Sequence, residues 1–175
     1  MIRSCTDGDI QVIYEIINDA AQAYRGVIPE DQWHNPYMSL SYLTSEIEDG
    51  VTFQGYADRD DHLLGVMGVQ EKDDVLLIRH AYVRTLARRQ GVGSQLLEHL
   101  CRNIHKPILI GTWKAASWAL SFYEKHGFKD VGPKATVQLL KTYWSIPARQ
   151  IEASIVLADN RWKTLSRKIN NTKNL

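Results

Sequence analysis

The sequence predicts a single α/β (α+β) domain with a mixed central sheet flanked by helices. Three strand-like runs follow one another through short charged connectors, as in an antiparallel meander. Helical segments precede that meander, and a strand–helix–strand unit follows it. At 175 residues the chain is the size of one domain and can bury a core without disulfides or metals.

Ile10, Ile13, Ile17, Ala20 and Ala21 recur at helical spacing, with Asp7 or Asp9 placed to cap the start. Gly26 and Pro29 end that regularity, and a loop runs through Trp33 and His34 to Tyr37. A second helix is expected from Ser39 to Asp49, stopped by Gly50. The meander strands are Val51 to Ala57, Leu63 to Gln70 and Val75 to Val83. Val92, Leu96, Leu97, Leu100 and Ile104 mark the next helix face, which Pro107 closes before a buried strand at Ile108 to Ile110. Trp118, Ala119, Phe122 and Tyr123 suggest another helix, capped by Gly127. Ile151, Ala153, Ile155 and Leu157 alternate as a half-buried strand. Residues 133 to 150 fit a helix, a strand or a loop. We take residues 1–160 as the domain and 161–175 as a basic, partly disordered tail carrying Arg161, Lys163, Arg167, Lys168 and Lys173.

A formal net charge of +1 argues against a general nucleic-acid or membrane-surface binder, since both need a basic field. Cys5 and Cys101 lie far apart, with no metal-ligand spacing, and read as ordinary thiols of a reducing compartment. No signal-peptide core and no membrane-length apolar run occurs, so a cytoplasmic location is expected. No resident metal is expected.

The segment Arg88-Arg89-Gln90-Gly91-Val92-Gly93-Ser94 stands where the third meander strand hands over to a helix. A helix N-terminus presents unpaired N–H groups and the positive end of a dipole, and so attracts phosphates. Gly91 and Gly93 allow positive φ and close approach of a ligand, while Arg88 and Arg89 add forked cationic donors. The stretch reads as a pyrophosphate cradle. It is not a Walker A loop, because no Gly-Lys-Ser/Thr occurs. Nor is it the dinucleotide fingerprint, whose third glycine is here Leu96.

Ala81-Tyr82-Val83 followed by Arg88, Gly91 and Gly93 resembles the acetyl-CoA-binding motif of the GNAT superfamily of N-acetyltransferases, [QR]-x-x-G-x-[GA] after a strand end. A second segment, Ala119 to Phe128, is similar to that family's A-x-x-x-Y-x-K-x-G-F pattern. The resemblance implies a mostly antiparallel GNAT-like sheet and direct acetyl transfer from acetyl-CoA, as co-substrate, to a primary amine of a small molecule or peptide. It leaves a homodimer open, and the near-neutral charge argues against a nucleic-acid or membrane partner.

By that resemblance, the backbone N–H groups of Gln90, Gly91, Val92, Gly93 and Ser94 hold the pyrophosphate, with Arg88 and Arg89 near the phosphates. The strand end at Ala81, Tyr82 and Val83 splays and lies along the pantetheine arm. A backbone N–H of Tyr82 or Val83 serves as oxyanion donor. Tyr123 matches the tyrosine that protonates the leaving thiolate. The glutamate some members carry on this strand is missing from Val75-Leu76-Leu77-Ile78-Arg79-His80. His80 is the candidate base, with His34, Glu30, Asp31 or a water chain as alternatives. Ala116 stands where the family often has an asparagine. These two departures motivate an alternative, a non-catalytic acyl-CoA-binding sensor or partner module.

Overall fold

A computed structural model describes residues 1–102 and 104–164. Contacts group the described residues into two compact units: Met1–Glu71 with Ile78–Ile104, and Lys72–Leu77 with the described residues from His105 to 164.

The first unit begins with β1 (Ile2–Ser4), which pairs antiparallel with β2 (Thr52–Ala57) in the register Ile2↔Tyr56. Between them lie α1 (Ile10–Ala21) and α2 (Leu40–Glu48). α1 buries Ile13, Ile16, Ile17, Ala20 and Ala21, a stripe of three- and four-residue spacings. Asp9 serves its start by reaching backward: Oδ2 accepts from the Thr6 N–H at 2.8 Å and the Thr6 hydroxyl at 3.1 Å. Both Asp9 oxygens are also held by the Arg3 fork at 2.9 Å. α2 starts on Ser39, whose hydroxyl accepts the Tyr42 N–H at 3.1 Å, and it gives way to Gly50 at φ 94°.

β3 (Leu63–Lys72) pairs antiparallel with β2. β4 (Val75–Val83) follows, and α3 (Val92–Cys101) completes this unit's regular elements. Its core gathers Ile13, Ile16, Ile17, Leu43, Val51, Phe53 and Val66. The helix expected to run past Ile104 to Pro107 stops at Cys101.

The second unit contains the opening residues of β4, then β5 (Ile108–Trp113), α4 (Ser117–Lys125) and β6 (Lys129–Asp130). α5 (Pro133–Tyr143), α6 (Ala148–Ala153) and β7 (Ser154–Ala158) follow. The ambiguous stretch is thus helical at α5, with Pro133 in its first turn, the position where a proline fits. The strand expected from Ile151 begins only at Ser154. Ile151 and Ala153 belong to α6, which starts after Pro147. β7 pairs antiparallel with β5 on one side and β6 on the other. The core here joins Val75, Leu77, Leu109, Leu139, Leu140, Ile151 and Val156.

The strands form a seven-stranded sheet in the order β1-β2-β3-β4-β5-β7-β6. It is mostly antiparallel and flanked by helices, as the sequence predicts. Of the basic tail, Arg161 pairs with Asp159 at 2.6 Å and Trp162 packs on the second core. Arg167, Lys168 and Lys173 lie outside the described residues. Among the described residues, no helix is long and apolar enough to cross a membrane.

Candidate functional site

β4 changes character along its length. Val75 to Ile78 are buried in succession, whereas Arg79 to Val83 are half-buried. At the change stands His80, with φ 49°, uncommon for any residue but glycine. In a regular strand successive side chains point to opposite faces. Here Arg79 and His80, neighbours in sequence, both reach the carboxylate of Glu46 on α2. His80 Nε2 lies 2.8 Å from Glu46 Oε2, and its ring stacks on Phe53 with centroids 6.2 Å apart. Arg79 also donates to Gln70 Oε1 at 2.9 Å, and Gln70 donates to the Asp49 carbonyl at 2.7 Å.

β3 makes room for this geometry. A Cβ on Gly68 would meet the Arg79 carbonyl oxygen at 2.8 Å. A Cβ on Gly65 would meet Val92 at 2.8 Å and the Tyr82 carbonyl oxygen at 3.2 Å. Arg84 then ties down the strand end, its N–H donating to the Leu64 carbonyl at 2.8 Å and its Nε to that of Leu63 at 3.0 Å.

Glu46 is 8% exposed, and burial alone would raise its pKa. The His80 bond and the Arg79 charge outweigh burial and hold the carboxyl below its usual range. Burial pushes the His80 imidazole below its ordinary value, the Glu46 bond opposes that fall, and the Arg79 charge adds to it. Burial, and then the Glu46 charge, raise the Tyr42 phenol. Sequence reasoning missed Glu46. Its signal is a carboxylate three residues after Leu43 and beside Ile47, on the inward side of α2.

Beyond Val83 the chain makes a short turn at Thr85–Ala87 and is fastened to the end of α1. The Thr85 N–H donates to Asp19 Oδ2 at 2.6 Å, and Arg88 Nη2 donates to the Ala20 carbonyl at 2.8 Å. Gln90 Nε2 donates back to the Leu86 carbonyl at 3.0 Å. Arg89 has φ 62° and Gly91 φ 80°, so left-handed residues flank Gln90. Such alternation turns successive N–H groups into one concavity, a shape suited to anions. Gly91 is the N-cap of α3, and no side chain caps that end. Val92 is buried; Gly93 and Ser94 are half-buried in the first turn.

A row of rings leads away from the strand end. Tyr82 meets Tyr24 edge-on at 6.4 Å, Tyr24 meets Tyr37 at 5.6 Å, and Tyr37 meets Trp33 at 5.6 Å. The loop carrying them is pinned where Asn18 exchanges two 3.0 Å bonds with the Met38 backbone. His34, Glu30 and Asp31, the alternative bases, are exposed.

In the second unit Tyr123 is 6% exposed on α4, its ring 5.1 Å from Phe122 and 6.0 Å from Phe128. Gly127 closes the helix at φ 86°. Ala116, fully buried, is the N-cap of α4, with no side-chain bond to that helix end. The Tyr143 hydroxyl donates to Asp74 Oδ1 at 2.9 Å, and burial, with Asp74 adding, pushes its phenol up to about 12.

Asp58, Asp60 and His62 bring ligand atoms within 4.8 Å of one another. Asp58 Oδ1 accepts the N–H groups of Asp60 and His62 at 2.9 Å, which shapes the β2–β3 turn.

An uncapped helix start reached from the end of a sheet strand suits an anionic ligand, and the fold around it does not by itself fix the activity. The chain belongs to the GNAT acetyltransferase family: the model of the acetyltransferase (GNAT) domain matches residues 8–141. Similar solved structures include a GNAT-family acetyltransferase of Staphylococcus aureus Mu50, 16% identical with a TM-score of 0.68, covering 92% of this chain and 98% of that one. The PaiA N-acetyltransferase of Thermoplasma acidophilum, in complex with coenzyme A, is 18% identical with a TM-score of 0.65, covering 91% and 97%. A GNAT-family acetyltransferase of Elizabethkingia anophelis with acetyl-CoA bound is 18% identical with a TM-score of 0.60, covering 91% and 96%. At these identities the likeness is one of fold. No curated protein matches the chain in sequence.

Proposed function

We propose that the chain is an N-acetyltransferase that uses acetyl-CoA and acetylates a primary amine of a small molecule or peptide. The observation that carries this reading is the left-handed pair Arg89 and Gly91 opening the uncapped N-terminus of α3. That arrangement fits a pyrophosphate, and the acetyl-CoA-bound and coenzyme A-bound relatives support the cofactor.

The bound thioester supplies an activated acetyl group. The N–H groups from Gln90 to Ser94 hold the diphosphate, and Arg88 and Arg89 contribute charge to the phosphates. Ala81, Tyr82 and Val83 offer backbone groups to the pantetheine arm, and the N–H of Tyr82 or Val83 faces the carbonyl oxygen as charge develops there. His80 accepts the amine proton. Tyr123 donates a proton to the leaving thiolate, a role that rests on its segment's resemblance to the family pattern. The Tyr82–Tyr24–Tyr37–Trp33 row flanks the acceptor.

The test is a panel of amines, small and peptidic, scored for thiol released from acetyl-CoA. Amine-dependent release supports the proposal; tight acetyl-CoA binding with a silent panel supports a non-catalytic acyl-CoA-binding module instead.

A further inference from the structure

We infer that Glu46 is a positioning residue that locks His80 in the Nε2–H tautomer and leaves Nδ1 as the nitrogen that takes up the amine proton. The inference rests on the N-acetyltransferase reading for the use of that nitrogen, and on geometry alone for the tautomer. His80 Nε2 stands 2.8 Å from Glu46 Oε2. Glu46 also receives the Arg79 guanidinium, which holds it as a carboxylate. A carboxylate only accepts hydrogen bonds, so Nε2 must carry the proton and donate. In the neutral ring the lone pair then resides on Nδ1.

Nδ1 also keeps some contact with solvent. Among the described residues, the His80 ring makes one hydrogen bond, that of Nε2. Yet among the described residues no buried side-chain nitrogen or oxygen lacks a partner. An unpartnered Nδ1 therefore has to reach the surface, consistent with a side chain 12% exposed. The left-handed backbone at His80 produces this outcome, because it turns the ring to the same carboxylate that Arg79 occupies. Uncommon backbone conformations of this kind persist where surrounding contacts enforce them. Here the enforcing contacts are Glu46, Phe53 and the space above Gly68.

The step is a proton transfer. One proton of the attacking amine moves to Nδ1, the ring becomes an imidazolium that still donates Nε2–H to Glu46, and the proton passes on to solvent. Its pH dependence is set by few groups. α2 brings Glu46, with Tyr42 against Glu46, and β4 brings Arg79; Phe53 of β2 and Gln70 of β3 add no titrating group. The base acts when neutral, so kcat/KM rises with pH through the His80 pKa and then levels. Glu46→Gln removes the charge that raises this pKa and leaves Arg79 uncompensated, so the rising limb moves to lower pH.

The test has two readouts on the full-length chain. The long-range proton–nitrogen NMR pattern of the 15N-labelled histidine ring should show a protonated Nε2 and a pyridine-type Nδ1. The opposite tautomer overturns the inference whether or not any amine is acetylated. Then, with an amine found to be acetylated, Glu46→Gln should lower kcat about tenfold or more and shift the limb to lower pH, with KM little changed. Glu46→Asp should recover part of the rate. An unmoved limb and unchanged kcat overturn the positioning role, and if Glu46→Gln does not fold, the NMR pattern decides. Failure of every amine in the panel removes the N-acetyltransferase reading and leaves the tautomer assignment to stand or fall on the spectrum.

Discussion

The Arg88 guanidinium donates from Nη2 to the backbone carbonyl of Ala20 at 2.8 Å, tying the glycine loop to the last turn of α1. A cation belongs there, because the final carbonyls of a helix form its negative end. Arg88 thus braces the loop while its other donors stay available to a phosphate. Arg88→Ala should lose about 1 kcal/mol of stability, a fall in Tm of about 2–4 °C for a chain of this size. Affinity for CoA should drop more than affinity for a pantetheine fragment lacking the diphosphate, as titration calorimetry with both ligands would register. Equal losses would assign Arg88 to the fold alone.

Gly91 caps α3 at φ 80°, where a Cβ would find ordinary contact with Gln95 at 3.6 Å but an unfavourable backbone conformation. A left-handed residue other than glycine costs about 1–2 kcal/mol, and a β-branched one fits worst. Gly91→Val should either strain the cap or turn the loop out of its concave form, and CoA affinity should fall at least about tenfold. A folded variant with unchanged affinity would refute the cradle.

Much of the fold was legible because its elements are long enough to show a period. β4 runs from Val75 to Val83 as its apolar run implies, and Gly50, Gly91 and Gly127 punctuate helices at positive φ. β1 escaped notice because three residues carry no alternation, and only pairing with β2 makes it a strand. Ile151 and Ala153 mimic the alternation of the strand that follows, but Pro147 begins a helical turn that holds them. A two-residue spacing over so short a span does not separate the two structures.

At residues 88–94 the local pattern of glycines and arginines marks a turn into a helix, and Gly91 stands as the N-cap of α3. The pairing of His80 with Glu46 was not legible, because it depends on tertiary structure. Glu46 precedes His80 by 34 positions, and nothing local announces that a left-handed turn of β4 will join them.

Asp9 should make the fold acid-sensitive. The Arg3 fork, against the opposing effect of burial and with help from Thr6, holds its carboxyl at about 2, compared with an ordinary 3.8. A depressed folded pKa contributes stability above the unfolded value, and that contribution fades as pH falls from about 4 towards 2. Asp9→Asn should therefore be less stable than the parent at pH 6, with the gap shrinking by pH 2. Urea unfolding at pH 6, 4 and 2 measures it, and a gap independent of pH would show that the ion pair contributes nothing beyond its shape.

Tyr123→Phe keeps the ring between Phe122 and Phe128 and removes only the hydroxyl. Loss of a general acid typically costs about a hundredfold to ten-thousandfold. Steady-state kinetics should show kcat falling within that range, with CoA affinity and Tm nearly unchanged. A fall in Tm alongside the rate would mark a structural hydroxyl. An unchanged kcat, with chemistry rate-limiting, would remove Tyr123 from the reaction.

Direct acetyl transfer from acetyl-CoA to an amine is the reaction we propose. Its most direct measurement follows thiol release with and without each amine of the panel, while mass spectrometry weighs both the amine and the intact protein. Release should require the amine, with one acetyl gained by the amine per thiol freed and a protein of unchanged mass. Tight binding of acetyl-CoA with no amine-dependent thiol release across the panel would contradict it.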